Sequence, residues 1–378
     1  MGRGRRSALA AAVTVVCAVT VLGAPGTAFA SAQQPTPRPT ATASAPPSAS
    51  SPSSASDDPA SPPDALDKEL EAVRTKLDTL YHDAAVATEA YNAAEEKSKK
   101  QSAEIVDLAR KIVAGQKKLD RLKDRAGAAA RAQYRTGGLP PQAQLLLSDD
   151  PQSFLDGAGR VLEGEHATNG LIQEMTRTQQ DLEQYADAAD DRWEQLEAGR
   201  KEKARAKKRI QQRIKEAEKL QTKLEKRQRE RLAQLEKQAA RRAQTAWLDT
   251  GVLKKIRGKA SAAGRDAVKF ATAQIGKPYE WGAEGPKTFD CSGLTSRAWA
   301  AAGRPVPRTS QEQWKRLRHV DIKDMRPGDL IIYFDDASHV AMYVGDGMII
   351  HAPRPGRTVT LAGAGEMPIL GVVRPDEG

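Results

Sequence analysis

The chain has 378 residues, enough for two or three domains at about 100–200 residues each. Hydrophobic residues make up 39% and charged residues 29%, against about 45–50% and about 25% in compact domains, which excludes one packed core for the whole chain. A net charge of +10 points away from basic partners and toward anionic polymers or surfaces.

In chain order the first element is a leader. Arg3, Arg5 and Arg6 precede an apolar run from Ala8 to Leu22, and Ala28-Phe29-Ala30 gives the small-x-small pattern of a cleavage site. The three regions together predict a secretory signal peptide over residues 1–30. A membrane anchor is the competing reading, but the run falls short of the roughly 18 apolar residues a spanning helix needs, and Pro25 and Gly26 follow it. Cys17 lacks the preceding small residues of a lipid-attachment site. Cleavage removes three arginines and no acids, taking the net charge from +10 to +7 and leaving Cys291 as the only thiol. In an exported protein a lone thiol is either a small buried hydrophobe or a reactive group.

Residues 31–64 are mostly Ser, Ala, Pro, Thr and Gln, a composition expected to form a disordered tether. From Leu66 the pattern changes. Positions 66, 70, 73, 77, 80, 84, 87, 91, 94, 98, 101, 105, 108, 112, 115, 119, 122 and 126 alternate spacings of four and three, and only Ser98, Gln101 and Gly115 among them are not apolar. A repeat sustained over this length predicts a coiled-coil seam. Gly137-Gly138-Leu139-Pro140-Pro141 breaks the helix, with a tip near 136–165. A second run follows from about Leu171 to Trp247, with Leu182, Ala189, Leu196, Ile210, Ala217 and Leu224 at multiples of seven and Lys203 interrupting the series. Two such helices are expected to fold back as an antiparallel hairpin over 65–247, an intermolecular pairing being the alternative. The basic run from Arg200 to Lys215 reads first as a solvated helix face and second as an attraction for anionic wall polymers or lipid headgroups. Nucleic acid is not expected as a partner of a secreted chain without a recognisable nucleic-acid module.

After a basic linker over 248–262, nine of the 17 aromatic residues lie beyond residue 260, so the globular domain is expected at 263–378. Ala263 to Ile275 reads as an amphipathic helix stopped by Gly276-Lys277-Pro278. Phe289-Asp290-Cys291-Ser292-Gly293-Leu294 opens a second, alanine-rich helix with Asp290 as N-cap. Cys291 then lies in the first turn, where unpaired N–H groups and the helix dipole favour a thiolate. Four apolar segments follow, at 330–334, 339–344, 348–351 and 369–373, the middle two flanking Gly345-Asp346-Gly347. With those three residues as the loop, position 339 lies opposite 353, which turns His339 and His351 to one face of neighbouring strands.

A helix-borne thiol and a strand imidazole backed by another polar group are the parts of a cysteine nucleophile, its base and an orienter. Cys291 attacks, His339 takes and returns the proton, and His351 holds the His339 ring. Helix-start N–H groups and Tyr279 are oxyanion candidates, with Asp290, Ser292 and Ser338 as further substrate-contacting candidates. Zinc is the competing use of Cys and His; one thiol without Cys-x-x-Cys or His-x-x-x-His spacing argues against it, and no metal or other cofactor is expected.

At these residues the sequence resembles the NlpC-type cysteine peptidases, papain-like enzymes that cut the peptide stems of bacterial cell wall. The matching stretches are Gly276 to Gly282, Phe289 to Leu294, Pro307-Arg308-Thr309-Ser310-Gln311, Arg326 to Leu330, Ser338 to Gly345 and Ile350-His351-Ala352, in the family's order across about 110 residues. The resemblance implies an α+β papain-like domain of helices on a small antiparallel sheet. It also implies Cys291 as nucleophile, His339 as base, His351 as the third polar residue, Tyr279 lining the site, and hydrolysis of the D-glutamyl to diamino-acid bond without a metal. Ala283 departs from the second glycine many members carry there. The leader, helical hairpin and peptidase order is also similar to secreted hydrolases that separate daughter cells. That likeness implies a wall-associated protein whose coiled coil docks on a membrane division complex of the ABC-transporter type. A non-catalytic scaffold that binds wall and such a complex is the alternative, and acyl chemistry on another bond of the wall is a third reading.

Overall fold

The computed structural model describes residues 65–135, 143, 147 and 151–376. The leader and tether over 1–64 and nearly all of 136–150 therefore lie outside the described residues. Two long helices come first, α1 (Ala65–Arg135) and α2 (Pro151–Thr222). At 1.5 Å per residue each is roughly 105 Å long. They run antiparallel, since partners on α1 and α2 fall in opposite order: Asp83 with Arg213, Gln101 with Gln195, Glu104 with Arg192, Lys118 with Glu174.

The positions that break the apolar repeat have local explanations. At Gly115 an added Cβ would lie 2.8 Å from Cδ2 of Leu182, so the helices meet there only because residue 115 has no side chain. Gln101 donates to Gln195 across the seam at 3.1 Å. Lys203 pairs with Glu95 of α1 and lies over the Tyr91 ring, 5.1 Å from its centroid. Of the eighteen seam positions on α1, only Leu66 is exposed. In the basic run, Lys203 and Arg213 face α1, while Lys201, Arg205, Lys207, Lys208 and Arg209 are exposed to solvent.

The second long run does not continue unbroken to Trp247. It ends at Thr222, turns, and restarts as α3 (Lys226–Asp249), where Gln228 accepts the Glu225 N–H at 2.8 Å. Leu232 of α3 packs back on Leu77, Leu80 and Tyr81 of α1. Its far end lies on the C-terminal domain: Gln244 donates to the Gly347 carbonyl (3.2 Å) and accepts from the Gly365 N–H (2.6 Å), with Trp247 against Gly365. One turn, α4 (Val252–Lys255), lies in the basic linker.

The C-terminal domain is α+β. Its helices are α5 (Ala262–Thr272), α6 (Cys291–Ala301) and α7 (Ser310–Arg316). Its strands are β1 (Arg318–Val320), β2 (Leu330–Tyr333), β3 (His339–Gly345), β4 (Met348–His351), β5 (Thr360–Gly363) and β6 (Ile369–Arg374), all antiparallel in the order β1-β6-β2-β3-β4-β5. Alternation along the strands fills two cores. Leu330, Ile332, Val340, Met342 and Ile350 pack with Ala267 and Ala271 of α5 and Leu294, Ala298 and Trp299 of α6. Ile331, Tyr333, Ala341, Tyr343 and Ile349 pack on the opposite face with Met325, Trp247 and Ile256. A sheet covered on both faces needs unbroken apolar strands, which is why β2 reads Leu-Ile-Ile-Tyr without a polar residue. The hairpin and this domain fall in one compact unit.

Candidate active site

The site is built from the start of α6. Asp290 has extended backbone and its carboxylate accepts the Gly293 N–H at 2.6 Å, so it caps the helix. Residue 293 must be glycine because a Cβ would stand 2.2 Å from the Ala283 carbonyl oxygen. The Asp290 carboxylate also accepts from the Gly282 N–H (2.9 Å) and from both terminal nitrogens of Arg308 (3.0 and 2.7 Å). Arg308 in turn donates to the Ser292 hydroxyl (2.9 Å) and pairs with Glu284 (3.1 Å). Charge-assisted donors in a planar fork fix this carboxylate, and with it the first turn of α6. Cys291, the first residue of that helix, is 3% exposed and receives the main-chain N–H groups of Val340 and Ser292. The thiol is thereby set against β3 at the residue next to His339.

The two histidines meet as the residue pattern predicts, by a different turn. Asp346 and Gly347 both take left-handed φ (53° and 71°), as a tight two-residue hairpin turn requires. A bulge between Tyr343 and Gly345 then restores the register Met342↔Ile350. Carried to the strand ends, this sets 339 opposite 353, so His339 and His351 share a face. His339 Nε2 lies 3.0 Å from His351 Nδ1. That contact occupies Nε2 and leaves Nδ1 of His339 as the ring atom with which a thiol exchanges a proton.

The mouth of this site is filled by α1. Glu89, 2% exposed, places Oε1 2.7 Å from the Ser292 hydroxyl and 3.7 Å from Cys291 Sγ, while its Oε2 accepts the Ser310 N–H at 2.9 Å. Asn92 donates to Asp290 (3.1 Å), Thr88 hydrogen-bonds the Tyr279 hydroxyl, and the Tyr91 ring meets Trp281 edge-on with centroids 5.2 Å apart. Two helical turns before Glu89, His82 lies 3.2 Å from Asp336 and 3.5 Å from the Ser338 hydroxyl. Beside the docked helix is a cavity of about 140 Å³ lined by Tyr91, Asn92, Glu95, Gly282, Glu284 and Arg308.

Docking sets the electrostatics. Burial, then the charges of Glu89 and Asp290, push the Cys291 thiol well above its ordinary value, outweighing the two N–H groups that favour the thiolate. This corrects the expectation that the helix start makes the sulfur acidic: the dipole is present, but with α1 in place desolvation and two nearby carboxylates dominate. Burial also holds His339 well below the usual imidazole value, with His351 adding to the effect, and takes His351 down to about 4. Tyr279 is held far above the phenol range by burial. Thiol and imidazoles are thus all neutral in the docked arrangement.

Of the residues expected from sequence, Cys291, Asp290, Ser292, Tyr279, His339, His351 and Ser338 all lie in this region, Ser338 on the flank that contacts His82. Two residues were missed. Arg308 lies in a matching stretch but drew no role, and Glu89 reads as helix surface. A signal for Glu89 exists: it is the only charged residue between positions 84 and 94, a stretch rich in alanine that permits close approach. Among the described residues no group of three His, Cys, Asp or Glu side chains is arranged to hold a metal, and no helix is long and apolar enough to cross a membrane.

Residues 276–366 match the NlpC/P60 family. The chain is 38% identical over 140 residues to a probable endopeptidase of Corynebacterium glutamicum, covering 37% of this chain and 66% of that protein. It is 43% identical over 88 residues to the probable endopeptidase p60 of Listeria monocytogenes, covering 23% of this chain and 18% of the other. Among solved structures, the NlpC/p60 domain of the peptidoglycan hydrolase SagA is 31% identical, with 29% of this chain and 97% of that one covered and a TM-score of 0.28. The chain therefore spans just under two thirds of the corynebacterial relative and less than a fifth of the listerial one.

Proposed function

Because residues 276–366 form a domain that belongs to the NlpC/P60 family, we propose that this protein is a secreted, wall-associated peptidoglycan endopeptidase. It acts through Cys291, His339 and His351. The observation that carries the reading is a buried thiol on the first residue of a capped helix, set against the strand whose histidine is held by a second histidine at 3.0 Å. In the reaction His339 Nδ1 takes the thiol proton and the sulfur attacks the carbonyl carbon of the scissile amide. The C–N bond then breaks as the imidazolium returns the proton to the leaving amine, and water activated by His339 hydrolyses the thioester. Main-chain N–H groups at the start of α6, with Tyr279 once Thr88 withdraws, stabilise the oxyanion. The bond cut is the D-glutamyl to diamino-acid linkage of the stem peptide.

The docked α1 is the resting state of this enzyme, since Glu89 and Asn92 fill the space a stem peptide needs beside Cys291. Regulation consists in lifting the coiled coil, the step assigned to a membrane partner of the ABC-transporter type; membranes carrying such a complex should then stimulate the full chain. Purified wall incubated with the protein should release fragments whose masses place the cut after D-glutamate, and Cys291→Ala should abolish them. Fragments of other masses would reassign the bond. A non-catalytic scaffold predicts instead no release even when α1 is detached.

A further inference from the structure

We infer that the contact between α1 and the peptidase domain is a proton-operated latch, closed when Glu89 carries a proton and loosened when it loses it. The latch rests on the endopeptidase reading for its consequence, whereas docking itself is measurable without turnover.

The charge count at Glu89 supplies the argument. From the start of α6 it faces Asp290 and Cys291; from the segment between α5 and α6, Tyr279; from the segment before α7, Arg308. Of the lysines near the site, Lys203 of α2 is taken by Glu95 and Lys99 of α1 by Glu96. Three carboxylates therefore share one guanidinium, and Arg308 already gives two nitrogens to Asp290 and a third to Glu284. An ionised Glu89 would be a buried charge without its own counter-ion, a costly arrangement. With a proton on Oε1 the difficulty vanishes. Glu89 donates to the Ser292 hydroxyl, which turns toward Asp290 Oδ1 at 3.4 Å, while Oε2 keeps the Ser310 N–H. Burial and then Asp290 raise this carboxyl to about 7, against the pull of Ser292, Ser310 and Arg308.

On the flank of the same helix, His82 contacts Asp336 at 3.2 Å, the Ser338 hydroxyl and the Phe334 ring of the peptidase domain, while its neighbour Asp83 is taken by Arg213 of α2. For Glu89, whose docked value is raised, the stabilisation is complete below the carboxyl's free value of 4.5 and is lost as pH rises through about 7. Glu89 thus holds the latch in acid and releases it toward neutral and alkaline pH.

Double electron–electron resonance tests this on the full chain, with spin labels on Lys97→Cys in α1 and Arg304→Cys after α6, both exposed positions. Labelling is done in acid, where Cys291 is covered. One short distance is expected at about pH 5.5, and the ratio of released to docked molecules should rise about ten-fold or more by about pH 8.5. In the Glu89→Gln protein the short distance should persist at both pH values. A wild-type distribution that ignores pH overturns the latch, as does a glutamine variant that titrates like wild type or is released throughout. A protein with no peptidase activity would leave all of these outcomes readable.

Discussion

A residue can be forced by one distance. At Gly293 that distance separates an absent Cβ from the Ala283 carbonyl, and at His351 it is the 3.0 Å contact that fixes the neighbouring ring. The meeting of the histidines was legible in the sequence, because strand alternation is a local rule, whereas the need for glycine at 293 depends on the Ala283 carbonyl ten residues earlier and was not. Glu89 was not read either: the alanine-rich stretch around it marks a close approach but does not say what that surface touches some 200 residues later in the chain. The buried histidine carries a pH consequence. His351 is held neutral, down to about 4 from 6.5, so the unfolded chain binds its proton first and stability is lost as pH falls from 6.5 toward 4. The loss from this group should approach about 3 kcal/mol. Asn at position 351 still reaches His339 Nε2 and does not titrate. Urea midpoints of His351→Asn should therefore fall less steeply over that interval than wild type, the remaining slope belonging to His339. Equal slopes would show that His351 is not buried neutral.

Elements were read with uneven success, for physical reasons. The strands at 330–333, 339–345, 348–351 and 369–374 emerged from apolar runs. The edge strands β1 and β5 did not, because Arg318-His319-Val320 and Thr360 to Gly363 are short and half solvated. The break at 223–225 contains neither proline nor glycine, so only the packing of α3 against two bodies reveals it. That packing closes a clasp: Glu236 of α3 pairs with Arg354 (2.9 Å) and Arg357 of the peptidase domain, and Arg354 lies over the Tyr81 ring of α1, 4.1 Å from its centroid. Glu236→Ala removes both ion pairs and leaves the catalytic residues untouched. A loss of about 1 kcal/mol in the docking equilibrium, the upper range for partly exposed pairs, corresponds to about five-fold more released molecules. Fragment release by the full chain should increase by that factor. An unchanged or lower rate would mean that α3 does not hold the hairpin down.

At the scale of the molecule, the order of a long helical pair followed by an α+β domain was legible, but where the helices lie on that domain was not. Heptads specify which face of α1 meets α2 and say nothing about the opposite flank, where Thr88, Glu89 and Asn92 dock. That separation of faces permits a clean test. Thr88 is 2% exposed, lies outside the α1–α2 seam and hydrogen-bonds Tyr279. An arginine there has no room against the peptidase domain, yet projects into solvent from an undocked hairpin. In the full chain Thr88→Arg should therefore detach α1 while both bodies keep their own cores. Detachment hydrates Cys291 and takes the Glu89 carboxyl away from it, so the thiol should become more acidic under the remaining N–H groups of Val340 and Ser292. Alkylation of Cys291 by iodoacetamide near pH 7 should accelerate at least about ten-fold, one unit of thiol acidity, and fragment release should rise in parallel. Faster alkylation without faster release would assign the hairpin a protective role over a thiol that does no hydrolysis. No change in either would show that α1 does not cover the sulfur in solution.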